Sequence, residues 1–235
     1  MARGQGAGAL RVVKDTPNLR ELTTRTLRDA ILRMHFKPKQ KLTERELCEA
    51  TGVSRTCVRE AVRSLEAEGL VERIPNRGIF VASVSVDEAR QIYEVRAALE
   101  PAFARLFVAR ANDRELQDLN AACLKIEKVA SRRPVISYVD ALDEFYDVIL
   151  QGARNEVARA VLQGLRARMR YLRALTAEAA VDTGRERETH ALMRKIVDAA
   201  ARRDAATMAE RCRAFVERSA KFAIVVLSRQ ETAES

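Results

Sequence analysis

The chain has 235 residues, which is long enough for one or two domains with a buried core. Hydrophobic residues make up 47% of the sequence and charged residues 32%, with only 9 glycines and 5 prolines, which excludes a disordered or fibrous protein. The sequence lacks an apolar run of about 18 residues, so we expect no membrane span, and the N-terminus lacks the apolar core of a signal peptide, which predicts a cytoplasmic protein.

The net charge of +9 and the isoelectric point near 9.8 are typical of proteins that bind polyanions. The first 82 residues contain 16 Lys and Arg against 10 Asp and Glu, a net charge of +6, whereas the remaining 153 residues carry +3. Positive charge is therefore concentrated in the first third of the chain, although a general preference for Arg would give the same total. The four cysteines form no Cys-x-x-Cys pair and are expected to be reduced.

The first third of the chain has the pattern of three helices followed by a β-hairpin. Apolar residues at helical spacing predict a helix over residues 18–34, which ends before Pro38 because proline disfavours a helical residue ahead of it. A capping box predicts a short helix over 43–52, and a third helix runs over 54–69. The pattern then changes to two strands around a turn, over 70–82, so the arrangement is a helix-turn-helix with a wing.

The rest of the chain is predicted to be helical. The helices expected there cover residues 86–110 with a break or bend near Pro101, 113–130, 138–152, 155–173, 186–201 and 204–227. The predicted fold is therefore mainly α, with an N-terminal winged helix-turn-helix over 16–83 and an all-helical effector and dimerisation bundle over 84–230. We expect the tails before Thr16 and after Gln230 to be disordered.

The third predicted helix carries a row of arginines. Arg55, Arg59 and Arg63 fall at positions i, i+4 and i+8, on the side opposite the apolar residues that face the core. Guanidinium groups on such a helix reach guanine O6 and N7, and Ser54 and Thr56 lie where a helix N-terminus grips phosphate. The alternative is that this row is only a solvated charged face. The position of the row inside a winged helix-turn-helix favours DNA binding.

The preceding helix and the wing supply further candidate contacts. Arg45 is placed for a contact with the DNA backbone. In the turn of the hairpin, Gly78 allows a close approach of the backbone, and Arg77 extends beside or into the minor groove. Asn76 and Gly78 also have the chemistry of an ordinary turn, which explains both residues without DNA.

These motifs resemble two known protein modules. Residues 42–47 (LTEREL), 52–62 (GVSRTCVREAV), 65–71 (LEAEGLV) and 75–81 (PNRGIFV) resemble the DNA-binding domain of GntR-type transcription regulators. The resemblance implies DNA contacts by Arg45, Arg55, Thr56, Arg59 and Gly78. Residues 93–101 (YEVRAALEP), 145–149 (FYDVI) with Asn155, and 196–199 (IVDA) with Arg203 and Asp204 resemble the helical effector domain of the FadR-like branch, called FCD.

The FCD resemblance implies a divalent metal held by an Asp and three His, but the corresponding positions here are Leu142, Tyr146, Met193 and Phe215. Alkyl, phenyl and thioether groups cannot replace imidazole and carboxylate, so we expect no metal cofactor. We expect instead a pocket for a small organic acid, held by the Arg96 guanidinium and the Tyr146 hydroxyl.

The remaining polar residues of this region give weaker signals. Arg170 or Arg173 is a further candidate for the pocket, although a solvated face is the alternative. The two histidines, His35 and His190, are expected at a helix end or on the surface, and the cluster formed by Asp140, Asp143 and Asp147 on a solvated face or pocket rim. In the other interpretation of the domain, Met193 and Phe215 fill the cavity and the domain senses no ligand.

Together these features predict a ligand-responsive transcription regulator, most simply a repressor, that binds an inverted-repeat operator in double-stranded DNA as a homodimer. An enzyme is disfavoured, because the sequence shows no Ser/His/Asp set and no Gly-rich phosphate loop. The alternative function is that of an architectural protein that binds DNA without sequence preference and has a dimerisation domain that senses nothing.

Overall fold

The computed structural model describes residues 19–130 and 135–234. Within these ranges the chain forms nine α-helices and three short strands. In chain order they are α1 Leu19–Leu32, β1 Lys41–Leu42, α2 Glu44–Thr51, α3 Arg55–Ala67, β2 Val71–Ile74, β3 Gly78–Val81, α4 Val86–Arg110, α5 Asp113–Val129, α6 Ile136–Gly152, α7 Glu156–Asp182, α8 Arg185–Ala201 and α9 Ala205–Glu234. The mainly α fold with an N-terminal winged helix-turn-helix is confirmed.

Local capping explains where the helices of the N-terminal unit begin and end. The Thr43 hydroxyl accepts a hydrogen bond from the Glu46 backbone N–H at 3.2 Å, and the Glu46 carboxylate accepts from the Thr43 N–H at 3.1 Å. This capping box opens α2, and Gly52 closes the helix with φ of +70°, a backbone conformation that glycine adopts without strain. The Ser54 hydroxyl then accepts from the Cys57 N–H and opens α3.

The wing is a hairpin of β2 and β3, with Val71 opposite Val81 and Ile74 opposite Gly78. A third strand, β1, pairs with the outer edge of β3, so the sheet has the antiparallel order β1-β3-β2. The sequence did not predict β1, because a strand of two residues is too short to show an alternating pattern.

The helical unit packs α4 along α9, α5 against α6 and α8, and α7 against α6. Its core contains large aromatic side chains that are at most 2% exposed, namely Phe103, Phe107, Phe145 and Tyr171. Within the described residues, none of the helices is both long and apolar enough to cross a membrane.

The structure differs from three expectations about the helical unit. Of the break or bend expected near Pro101, the break is absent: α4 continues through the buried Pro101, and its extended packing against α9 outweighs the helix-breaking tendency of proline. Helix α7 runs to Asp182 rather than ending at Arg173, because the stop is Gly184 at φ of +69°. The segment after Gln230 is not disordered, since α9 extends to Glu234, whereas the tail expected before Thr16 lies outside the described residues.

Helix α7 also contacts the winged unit directly. The Arg168 guanidinium donates to the backbone carbonyls of Gly69, which follows α3, and of Ser83, which follows the wing, and it pairs with Glu88 at the start of α4. The buried hydroxyl of Tyr171 donates to the Ala82 carbonyl at 2.7 Å. The end of the third helix and the base of the wing are therefore tied to one helix of the bundle.

Candidate nucleic-acid interface and ligand cavities

The exposed side of α3 carries the predicted arginine row. Arg55, Thr56, Arg59 and Arg63 are exposed, whereas the apolar side of the helix is buried by Val58, Ala61, Val62 and Leu65. Ser54 sits at the exposed N-terminus of α3, where its hydroxyl caps the helix. The structure thus brings Ser54 and the four polar residues of α3 onto one accessible face.

The arginines of this face differ in the contacts they already make. The Arg59 Nε donates to Glu44 Oε1 at 2.8 Å, and Arg63 pairs with Glu60 at 2.6 Å. Arg55 makes no hydrogen bond or ion pair with any described residue. The contact with Arg59 lowers the pKa of Glu44, but Arg59 is exposed and Glu44 is partly exposed, so the pair contributes little stability and can be exchanged for a phosphate or base contact.

The remaining predicted DNA contacts lie on α2 and on the wing. Arg45 is exposed, with its guanidinium 3.6 Å from Glu49. Asn76, with φ of +60°, forms the wing turn, and Arg77 is exposed with its guanidinium 5.6 Å from the Phe80 ring centre. Gly78 has φ of +110°, where a side chain is strained, so turn geometry alone accounts for its presence.

The helical unit contains two cavities in the region expected for the effector pocket. The first, of about 90 Å³, lies between α4, α6 and α7. The second, of about 60 Å³, lies between α4, α6, α7, α8 and α9. The Arg173 side chain lines both cavities.

The predicted pocket residues do not share one cavity: some line the first cavity, some line the second, and some line neither. Arg96, Leu142 and Phe215 line the second cavity, and Tyr146 lines the first. Met193 is fully buried in the core and lines neither cavity. Arg170 also lines neither, because it is held by Asp140 and, at 3.0 Å, by Asp143.

Of two further residues of the first cavity, the sequence did not single out Glu100, and it offered Arg173 only as an alternative to Arg170. Glu100 accepts a hydrogen bond at 2.6 Å from the Nε of Arg96, and both side chains are almost fully buried. Arg173 pairs with Asp143, and its guanidinium lies 4.8 Å from the Tyr146 ring centre. The signal available in the sequence was the i, i+4 spacing of Arg96 and Glu100.

The acidic cluster on α6 is largely an ion-pair network rather than a solvated face. The Asp143 side chain is only 6% exposed and contacts both Arg170 and Arg173, while Asp147 pairs with Arg166. Asp143 is therefore not on a solvated face, because arginines of α7 cover it, but Asp143 and Asp147 do line the first cavity, in keeping with the expected position at a pocket. Elsewhere, His190 lies 3.7 Å from Glu127, and His35 packs edge-on against Phe36.

The residues at the four positions where the FCD resemblance implies metal ligands do not fit a transition metal. Leu142, Met193 and Phe215 are buried and offer two carbon side chains and one thioether. Burial raises the pKa of Tyr146 well above its usual value, so its phenol stays neutral and is a weak ligand. Among the described residues, no group of three or more His, Cys, Asp or Glu is placed to hold a metal.

Comparisons with known proteins agree with this architecture. Residues 19–81 match the family described as bacterial regulatory proteins, gntR family, and residues 91–218 match the FCD domain. The nta operon transcriptional regulator of Aminobacter aminovorans is 32% identical over 140 residues, covering 59% of this chain and 66% of that protein. The transcriptional repressor RspR of Escherichia coli is 28% identical over 151 residues, covering 63% and 66%. The chain thus spans about two thirds of the length of these relatives.

Solved structures share the fold at low sequence identity. Escherichia coli McbR/YncC superposes with a TM-score of 0.76 at 19% identity, covering 92% of this chain and 100% of that one. A GntR regulator from Rhodococcus sp. RHA1 gives a TM-score of 0.75 at 21% identity, covering 87% and 96%. The chain therefore belongs to the GntR family of DNA-binding transcription regulators, in the branch that carries an FCD domain, and it is not an enzyme.

Proposed function

We propose that the protein is a ligand-responsive repressor that binds an inverted-repeat operator as a homodimer in the cytoplasm. The observation that carries the DNA-binding part is the exposed face of α3, where Arg55, Thr56, Arg59 and Arg63 stand clear of the core. An α-helix of this kind fits the major groove and reads base edges through arginine. Arg77 at the wing tip would reach the neighbouring minor groove.

The ligand-responsive part is supported by the position of α7. Residues at positions 159, 162, 166, 169 and 173 follow one side of this helix and line the first cavity. Arg168 and Tyr171 lie on the opposite side and bind the carbonyls that follow α3 and the wing. A small molecule that shifts α7 would therefore also move the contacts that hold the reading head, the winged helix-turn-helix from α1 to β3, which couples effector binding to DNA affinity.

An organic acid held by Arg96 stays a prediction. Arg96 already donates to Glu100 and, at 3.4 Å, to the Tyr146 hydroxyl. A carboxylate at this guanidinium would have to displace Glu100 or share the guanidinium with it.

Selection from duplexes with a randomised central segment tests the proposal. We expect the purified full-length protein to enrich a motif with two-fold symmetry, because a two-fold protein dimer presents two α3 helices. Binding to the enriched duplex should exceed binding to a scrambled duplex by about a thousandfold or more.

Two other outcomes would reject parts of the proposal. Retention of DNA without any enriched sequence would support the architectural alternative, in which only phosphate contacts matter. Enrichment of a single half-site, with no symmetric partner, would contradict the dimeric mode of binding.

A further inference from the structure

The first cavity lies between α4, α6 and α7 and contains both unpaired polar atoms and an apolar wall. Its apolar side is formed by Leu150, Leu162 and Met169. Its volume of about 90 Å³ is several times the roughly 10–15 Å³ that a cavity needs to admit one water molecule, which leaves space for a small organic molecule.

Most charged groups around this cavity are already neutralised inside the protein. Asp143 pairs with Arg173, and Asp147 pairs with Arg166. The acidic and basic residues of the lining are equal in number: Glu100, Asp143 and Asp147 against Arg159, Arg166 and Arg173. A ligand with a large net charge of either sign would bring a charge that no lining residue compensates, which favours a ligand of zero net charge.

Two lining residues carry polar atoms that are buried and lack a hydrogen-bond partner among the described residues. They are the Oε2 of Glu100 and one terminal guanidinium nitrogen, Nη2, of Arg173. The other oxygen of Glu100 is bound to Arg96, and the other terminal nitrogen of Arg173 is bound to Asp143. A buried polar atom without a partner is costly, so each of these atoms calls for a ligand group of the opposite kind.

The two residues that carry these atoms line the same cavity as Tyr146. The guanidinium of Arg173 is 4.8 Å from the Tyr146 ring centre, and that of Arg96, which holds Glu100, is 5.5 Å from the same centre. A single small molecule next to Tyr146 is therefore close to both residues. The geometry calls for a hydrogen-bond donor at Glu100 and an anionic acceptor at Arg173.

We propose that this cavity binds a small zwitterion, an α-amino acid with an apolar side chain. Its ammonium group donates to Glu100, its carboxylate accepts from Arg173, and its side chain packs against Leu150, Leu162 and Met169. The regulatory consequence rests on the proposed function, because α7 forms one wall of the cavity and also holds the reading head. The binding step itself does not depend on DNA.

Calorimetric titration of the full-length protein with L-valine, without DNA, tests the binding step. The matched probes are isobutylamine, which lacks the carboxylate of valine, and 3-methylbutanoate, which lacks its amine. We expect saturable binding of valine, with each matched probe at least about tenfold weaker because it loses one charge-assisted hydrogen bond. Equal binding of valine and 3-methylbutanoate, or no saturable binding of glycine, alanine, valine or leucine at millimolar concentration, would overturn the proposal.

Two variants locate the site. Leu150→Phe fills the first cavity and should weaken valine binding by at least about tenfold, whereas Ala180→Val in the second cavity should change it by less than about twofold. The reverse pattern would place the ligand in the second cavity and refute the assignment. Glu100→Gln should also weaken binding, and unfolding scans without ligand show whether each variant is folded.

A gel-shift titration with and without valine separates this inference from the proposed function. If valine binds in the first cavity but leaves DNA affinity unchanged, the ligand-responsive part of the proposed function fails while the binding site stands. If valine does not bind, the binding site fails, and the DNA-binding part of the proposed function is unaffected.

Discussion

Four side chains stand where metal ligands are expected of an FCD domain, and their chemistry predicts the metal content of the purified protein. Leu142, Met193 and Phe215 offer no oxygen or nitrogen donor, and Tyr146 keeps its proton at neutral pH because burial raises its pKa. Elemental analysis of tag-free protein should therefore give well below one equivalent of zinc, nickel or manganese per chain. Stoichiometric metal that survives desalting would show that these positions were matched wrongly to the family.

The cysteines provide a second test at the level of single residues. Cys123 and Cys212 are buried, and burial raises the pKa of both thiols, whereas Cys48 and Cys57 are partly exposed. A chromogenic thiol reagent at neutral pH should titrate two cysteines quickly in the native protein and all four after denaturation. Bound operator DNA should slow the reaction of Cys57, which lies in the first turn of α3. Fast reaction of three or more native thiols would contradict the described packing.

At the scale of elements, Arg168 of α7 should stabilise the contact between the bundle and the reading head. Arg168→Ala leaves the carbonyls of Gly69 and Ser83 without this donor, which costs about 1–3 kcal/mol of stability when such groups are buried. Hydrogen exchange followed by mass spectrometry should show faster exchange in peptides covering 68–72 and 81–88.

The matched control is Arg166→Ala, on the opposite side of the same helix, where the arginine pairs with Asp147 at the cavity. This variant should leave exchange in those two peptides unchanged. Equal protection in wild-type and Arg168→Ala protein would mean that α7 does not hold the reading head.

How far the sequence predicted the elements depended on whether the signal was local. The capping box at Thr43, the N-cap Ser54 and the period of α3 are local, and they predicted the helix-turn-helix correctly. The continuation of α4 through Pro101 depends on packing against α9, which sequence periodicity does not contain. The end of α7 was missed even though Gly184 was a readable stop signal.

The site was predictable to a similar degree. The arginine row on α3 follows from spacing alone, and the structure places it on an exposed face. The roles of Glu100 and Arg168 could not be predicted, and Arg173 could not be separated from Arg170, because each role depends on a partner at least 30 residues away or on a cavity formed by three helices. From the sequence alone, the long arginines of α7 are typical of a solvated face. Only the tertiary fold places acidic side chains and backbone carbonyls opposite them.

At the scale of the whole molecule, we expect the protein to be a homodimer. A symmetric operator requires two DNA-binding units, and most apolar residues of the small winged unit lie in its own core, with Leu19 and Leu22 exposed, so we expect the helical unit to supply most of the contact between subunits. Sedimentation of the full-length protein at micromolar concentration should give twice the chain mass of 26.3 kDa. A single species at the mass of one chain, under conditions where operator is bound, would contradict this expectation.

The central claim is that α3 reads DNA sequence, and Arg55 tests it most directly because its guanidinium makes no hydrogen bond or ion pair with the described residues that would have to be given up. Fluorescence anisotropy titrations at fixed salt should compare the wild type, Arg55→Ala and the matched control Arg187→Ala on the selected operator and on its scrambled version. Arg187 has an 83% exposed side chain on α8 and carries the same charge. We expect Arg55→Ala to lose about 1–3 kcal/mol of operator affinity and much less on the scrambled duplex, with Arg187→Ala close to wild type on both. Equal losses for the two variants, or unchanged operator affinity for folded Arg55→Ala, would contradict sequence reading by α3.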